Sequence, residues 1–270
     1  MLKSISKFNW EEFSTRNNLY FRVAYYIFVH LVALLAFKYA TLATFFTFIL
    51  FWWFGAWAVS GYTHRTLSHK SIVVKNKPLE HLSNIFAIYA GIGTPLGWAA
   101  LHRMHHTYLD THLDPHSPHR IGFWRSYLHL WDWRKEDVPV KFAAGLFRNR
   151  IAVYYHNRAI PTLLLFWFGL LILGGLEVCI GAALAVVAGL HGMGVTNAVS
   201  HSHEEPKKVV SLDPIAGAFI NWGEGNHEYH HTKPMEYSFG KGVSDPVART
   251  AELFEKLNLV QINRTSELNG

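Results

Sequence analysis

Two pairs of nearly continuous apolar runs constrain this chain more than any other feature. The first pair covers residues 20–37 and 41–60, parted only by Lys38 and its neighbours. The second covers 160–174 and 178–199, parted by Gly174, Gly175, Leu176 and Glu177. About 20 residues at 1.5 Å each span a hydrocarbon core of roughly 30 Å. Neither pair has a polar face, so buried helices of a soluble protein fit poorly. A cleavable signal peptide also fits poorly, because the first run starts late, is long, and leads directly into a second. The expectation is an all-α integral membrane protein with four transmembrane helices in two hairpins. The stretch 81–100 is apolar but broken by Gly91, Gly93 and Pro95, so it reads as embedded or re-entrant. Composition agrees: 50% of residues are hydrophobic and 16% charged, against about 25% charged in soluble domains.

Charge gives the orientation. Of 25 Lys and Arg, four lie in residues 1–22, 13 in 61–160 and seven in 199–270, leaving Lys38 by itself. The hairpin turns are almost free of positive charge, and the positive-inside bias places both termini and the middle segment in the cytoplasm. The formal charge of +6 is then explained by topology and anionic headgroups, with no role for nucleic acid. The sequon Asn263-Arg264-Thr265 would face the cytosol and stay unmodified. A single cysteine, Cys179, excludes an intramolecular disulfide and any cysteine-based metal cluster.

The chain carries 18 histidines, and the clustered ones lie on the cytoplasmic side. His64 and His69 follow the second run; His102, His105 and His106 form a second cluster; His227, His230 and His231 a third. In the last two, positions i, i+3 and i+4 share one helix face and can converge on one point. His64 and His69 are about 140° apart on an α-helix, so they either straddle a helix end or serve different metals. Asn197 and His201, four apart, close the cytoplasmic end of the last run. Zinc takes about four ligands, too few for nine imidazoles, while copper and nickel also suit imidazole. Two metals sharing these nitrogens, with Asn197 near a bound water, leave open positions suited to oxygen chemistry at iron. Glu224 and Glu228 lie close enough to orient a histidine N–H without being ligands.

His64-x4-His69, His102-x2-His105-His106 and Gly223-Glu-Gly-Asn-His227-x2-His230-His231 resemble the three histidine boxes of the membrane-bound fatty acid desaturases, above all the acyl-CoA and cyanobacterial-type Δ9 group. The flanks agree: Gly61-x2-His64-Arg65, Ser68-His69-Lys70-Ser71, Asp114-Pro115-His116-Ser117-Pro118 and Asn197-x3-His201. The resemblance covers roughly residues 20–246 and implies one desaturase domain over 1–270, with a cytoplasmic cap from 61–159 and 200–270. It implies two irons held by His64, His69, His102, His105, His106, His201, His227, His230 and His231, with Asn197 contacting one through water. It also implies O2 and two electrons as co-substrates and a cis double bond placed in a long-chain acyl-CoA or acyl-lipid. Two positions depart from the family pattern. Gly194 stands where a tryptophan is common, which bears on the acyl tunnel, and Glu228 stands where asparagine is usual.

Other residues carry weaker expectations. Trp98, four before His102, is a candidate to line the substrate slot or an interfacial anchor. The run from Phe45 to Trp57 suits helix packing and lipid contact. His30 and His191 lie inside membrane helices and fit no cluster; His116 matches a family motif without an assignable ligand role. His112 and His119 also follow the second box, whereas His129, His156 and His203 read as surface or interfacial. The alternatives are a membrane di-iron hydroxylase or monooxygenase of lipids or alkanes, a haem electron carrier, or a transporter. Boxes and hairpins occupy the chain nearly end to end, so a separate electron donor of ferredoxin or cytochrome b5 type is expected. The location is a bacterial inner membrane or the endoplasmic reticulum.

Overall fold

The computed structural model describes residues 18–131, 137–202, 207–213, 217, 219–240 and 245–264. Its long helices are α1 (Asn18–Leu34), α2 (Leu42–Ala56), α3 (Lys77–Tyr89), α4 (Pro95–Tyr108) and Ala159–Val199; Phe123–Tyr127, His227–Thr232 and Pro246–Lys256 are shorter. In chain order after α4 these are α5 (Phe123–Tyr127), α6 (Ala159–Val199), α7 (His227–Thr232) and α8 (Pro246–Lys256). Starts are written in the sequence. Thr41 and Thr44 form a capping box at α2, while Asn76, Thr94 and Asp245 cap α3, α4 and α8, each with proline in the first turn. Each cap satisfies an N–H that the helix itself leaves unpaired.

Among the described residues, three helical stretches are long and apolar enough to cross a membrane: Leu19–Tyr39, Leu42–Ser68 and Ala159–Val199. Their outer faces expose Phe45, Phe46, Leu50, Leu164, Leu165, Phe168 and Leu173, a surface far too apolar for water. The third stretch breaks at Gly175, whose φ of 72° and ψ of −170° are not helical. Trp167 packs on Tyr89 with ring centroids 5.9 Å apart, and the Tyr89 hydroxyl donates to the Ala182 carbonyl. On a straight helix those two positions would be about 22 Å apart, so the two arms of α6 fold back on each other at Gly175. At the tips, Thr41 Oγ1 donates to Glu177 Oε2 at 3.1 Å, which joins the α1–α2 turn to the Gly175 turn. The histidine-bearing segments lie toward the other ends.

The second apolar run does not stop at residue 60 as expected. Trp57–Ser68 continues α2 as a π-helix, a conformation usually limited to short bulges at functional sites. Hydroxyls hold the wide turn open. Thr63, Thr66 and Ser68 donate to the carbonyls of Ala58, Gly61 and Thr63, each five residues back. The all-α expectation needs one correction as well. β1 (Ile72–Val74) pairs antiparallel with β2 (Val260–Ile262). This two-stranded ribbon ties the C-terminal segment to the chain just after His69, and Asn263 Nδ2 donates to the Lys70 carbonyl.

Candidate metal centre

Four segments supply the clustered histidines: the π-helix and its end (His64, His69), α4 (His102, His105, His106), the residues after α6 (His201) and α7 (His227, His230, His231). They separate into two groups with mutually close ligand atoms. One holds His64, His69, His102, His106 and His230; the other holds His105, His201, His227 and His231. The i and i+4 residues of α4 enter the first group and the i+3 residue the second, while α7 does the reverse. His64 and His69 share a group, so the geometry lets both serve one metal. A π turn takes more than four residues, so five positions return close to the same face. The His69 N–H bonds to the His64 carbonyl across that turn.

Within the groups the Nε2 atoms face one another. In the five-histidine group the separations are 3.0 Å for His64–His230, 2.9 Å for His69–His102, 3.0 Å for His106–His102 and 2.9 Å for His106–His230. In the four-histidine group they are 3.3 Å for His105–His231, 3.0 Å for His201–His227 and 3.2 Å for His231–His227. Neutral imidazoles whose lone pairs converge this closely repel unless a cation lies between them. Ligands at right angles around a metal with bonds of about 2.1 Å stand about 3.0 Å apart. The donor set therefore fits metal ions of more than tetrahedral coordination at the five-histidine group, and wider spacing at the other.

Carboxylates hold the outward nitrogens of His64 and His105 and approach that of His201, whereas Nδ1 of His227 and of His230 has no hydrogen-bond partner among the described residues. His64 Nδ1 donates to Glu224 Oε1 at 3.0 Å and His105 Nδ1 to Asp114 Oδ2 at 2.7 Å; His201 Nδ1 lies 3.5 Å from Asp110 Oδ1. These partners fix the tautomer that turns Nε2 inward. Glu224 also accepts from Ser60 Oγ and from Arg65 Nη1, and Arg65 Nη2 donates to Asp245. Burial by itself would raise the Glu224 carboxyl, but the neighbouring His64 and Arg65, with the Ser60 hydroxyl, hold it below its usual value. Burial, reinforced by neighbouring imidazoles, pushes His69, His102, His105, His227, His230 and His231 well below the ordinary histidine range. For His106 the value falls to about 3. Free histidine titrates near 6.5. Between that value and about 3 the unfolded chain binds protons that the folded chain refuses, so the stability of metal-free protein is full above pH 6.5 and falls as pH drops below it. Unfolding midpoints of stripped protein in detergent should be lower at pH 5 than at pH 8. Equal midpoints would contradict neutral buried imidazoles.

Several other expectations change. Trp98 is not interfacial: it is buried and stacks on His102 with ring centroids 4.6 Å apart and 11° between planes. His129 is not on the surface either; it is 2% exposed. Its Nε2 donates to the Leu190 carbonyl at 3.2 Å, so its Nδ1 accepts from Asn197 Nδ2, also at 3.2 Å. His30 and His191 find each other, Nε2 to Nε2 at 3.1 Å, and Tyr127 Oη lies 2.9 Å from His191 Nδ1. His116 is buried between the rings of His105 and Trp131, with centroids 4.0 and 4.7 Å away. It also joins His105 and Asp114 in a third close group, in which the His105 nitrogen is already bonded to Asp114. His156 is half-buried, with Nδ1 2.7 Å from Thr94 Oγ1, and His112 and His119 are exposed. Glu228 is exposed and orients no histidine, so Glu224 acts without it. At Gly194 a Cβ would fall onto the Tyr127 carbonyl oxygen, so α5 occupies the space of the family's tryptophan. His203 lies outside the described residues.

No protein-family model matches the chain. Among curated proteins it is similar to the Delta-9 desaturase-like 5 protein of Arabidopsis thaliana, 32% identical over 253 residues, covering 86% of this chain and 80% of that one. The sn-1 stearoyl-lipid 9-desaturase of Synechocystis is 30% identical over 80% of this chain and 69% of its own. The acyl-CoA 5-desaturase AL21 of Anemone leveillei is 30% identical over 67% of this chain, which spans 57% of that protein. Identity of this extent, on a chain whose boxes converge into two buried imidazole groups, means that the protein belongs to the fatty acid desaturase family of oxidoreductases.

Proposed function

We propose that the chain is an O2-dependent di-iron fatty acyl desaturase that places a cis double bond, Δ9-like, in a long-chain acyl-CoA or acyl-lipid. The observation that carries this is the convergence of nine Nε2 atoms in two groups, with no sulfur or carboxylate donor among the described residues in either group. An unactivated methylene C–H yields to no protein acid or base, so iron bound there would supply the O2-derived oxidant. The chain's own part is to hold, orient and exclude water. Trp98, packed on His102 and 5.7 Å from the His64 ring, forms a dry wall beside the five-histidine group. Asn197 spends its amide N–H on His129, which leaves Oδ1 for a water bound to one iron. Two of the named relatives are an acyl-CoA desaturase and a stearoyl-lipid desaturase, and both substrate classes suit a site at the ends of membrane helices.

The test is expression in a desaturase-deficient host, with fatty acid profiling and mapping of the double bond, beside metal analysis of the purified protein. A new cis-alkene, close to two irons per chain and no haem absorbance are expected. An alcohol product would move the chain to the hydroxylases, and full activity with one zinc or no metal would sink the di-iron reading.

The same proposal holds the chain as one unit with four spans, the arms of α6 on either side of Gly175 being the third and fourth. Both termini and the histidines then face the cytoplasm, where a separate ferredoxin or cytochrome b5 type donor would deliver electrons. Reporter fusions after residue 18, near residue 130 and at the C-terminus should report cytoplasm, and a fusion at Lys38 the opposite side. A cytoplasmic Lys38 would break the hairpin arrangement.

A further inference from the structure

The two histidine groups differ in what surrounds them. Among the described residues, the five-histidine group has one carboxylate hydrogen-bonded to a member, Glu224, already paired with Arg65 at 3.1 Å. The four-histidine group has two beside it, Asp110 and Asp114, which are 8% and 0% exposed. Asp114 Oδ2 accepts from His105 Nδ1 and, at 2.9 Å, from the Asp110 N–H; its Oδ1 accepts from the His116 N–H at 3.1 Å. Asp110 Oδ1 accepts from Ser117 Oγ at 2.7 Å and lies beside His201, while Oδ2 accepts from the Lys207 backbone N–H at 3.2 Å. Every one of these donors is a neutral N–H or O–H. Among the described residues no lysine or arginine side chain pairs with either aspartate, whereas Glu224 has its arginine. Buried carboxylates without a counter-charge are strongly disfavoured, so this pocket lacks a cation that its neighbour already holds in Arg65.

We propose that Asp110 and Asp114 are positioning residues of the four-histidine group, supplying through His201 and His105 the negative charge that makes up for its missing fifth imidazole. The inference rests on the metal reading above. It makes the two positions unequal: one holds its metal by ligand number, the other by ligand number and charge together. Asp110 has a left-handed φ of 55°, a conformation that aspartate tolerates better than most residues. That turn brings its carboxylate back toward the segment after α6, from which His201 comes.

The test uses the full chain in detergent with Fe(II) as the probe. His69→Ala made together with His102→Ala (the His69→Ala background) leaves the five-histidine group three imidazoles, and His227→Ala leaves the four-histidine group three, so each background reports one position. In the His69→Ala background, Asp110→Asn combined with Asp114→Asn should raise the Fe(II) dissociation constant by about 10- to 100-fold, the range for residues that orient ligands. In the His227→Ala background the same pair should change it by less than about twofold, since those residues touch no ligand of that group. Asp114→Glu, which keeps the charge, should recover most of the loss, and the reduction potential of that iron should rise when the charges are removed. A merely structural role would move neither the potential nor one position alone. Equal losses in both backgrounds, or none in the first, overturn the proposal while leaving two irons per wild-type chain intact. Fewer than two irons in the wild-type chain would overturn the metal reading itself, and this proposal with it.

Discussion

His201→Ala should cut desaturation to below about one hundredth of wild type, as completely as His105→Ala, although His201 lies outside the three boxes. The arrangement leaves little alternative. His201 is fully buried, with its Nε2 3.0 Å from that of His227 and its ring 4.9 Å from that of His105. It reaches the group because α6 ends at Val199, two residues earlier, where the Ser200 N–H still bonds to the Thr196 carbonyl. Removing an imidazole from a four-member set takes away a ligand outright, a larger loss than the 10- to 100-fold typical of residues that only orient ligands. Iron should fall from about two per chain to about one, because the five-histidine group keeps all its members. Asn197→Ala should be milder, since it acts only through water. His112→Ala, on an exposed residue in neither group, should keep wild-type iron and most activity. An active His201→Ala protein with both irons would show that the end of α6 is misplaced.

The boxes on α4 and α7 were legible because their spacing is the period of an α-helix and local hydrogen bonds preserve it. The long apolar helices were legible for a similar reason: an apolar run long enough to span has few other uses. Spacing left His64 and His69 undecided, because it assumes 3.6 residues per turn and the chain there is π-helical, with His69 just past the helix end. Thr63, Thr66 and Ser68 carry the signal in hindsight, but hydroxyl side chains in a helix bond back in several ways, so they could not have decided it. His129 was misjudged because its burial depends on Leu190 and Asn197, more than 60 residues away. The pairing of His30 with His191 spans 161 positions and leaves no local trace. Asp110 and Asp114 stood in plain sight beside the second box, and Asp114 even lay within a quoted motif. What the sequence could not say is which of the many carboxylates near a histidine cluster lack a basic partner. That depends on Arg65, whose partners Glu224 and Asp245 lie 159 and 180 residues further on.

Arg65→Met should produce the largest stability loss of any single substitution outside the histidines. The guanidinium is completely buried. Its Nε donates to the Tyr237 carbonyl at 2.8 Å, Nη1 to Glu224 and to the carbonyl and hydroxyl of Ser60, and Nη2 to Asp245 at 2.9 Å. It also sits over the Phe239 ring, 4.0 Å from the centroid. One side chain thus connects the π-helix, the loop before α7 and the cap of α8, whose first turn Asp245 holds through the Ala248 N–H. Without it two buried carboxylates lose their counter-charge. Breaking a buried ion pair by removing one partner costs about 3–5 kcal/mol, which for a chain of this size lowers the unfolding midpoint by about 10 °C. Lysine should not rescue, because a single ammonium cannot reproduce the planar fork that reaches Glu224 and Asp245 together. Arg249→Met offers the contrast: its pair with Glu252, at 2.8 Å, is largely solvated, and such pairs contribute about 0–1 kcal/mol. If the two variants unfold at the same temperature in detergent, the buried network is not what fastens the C-terminal helix to the metal centre.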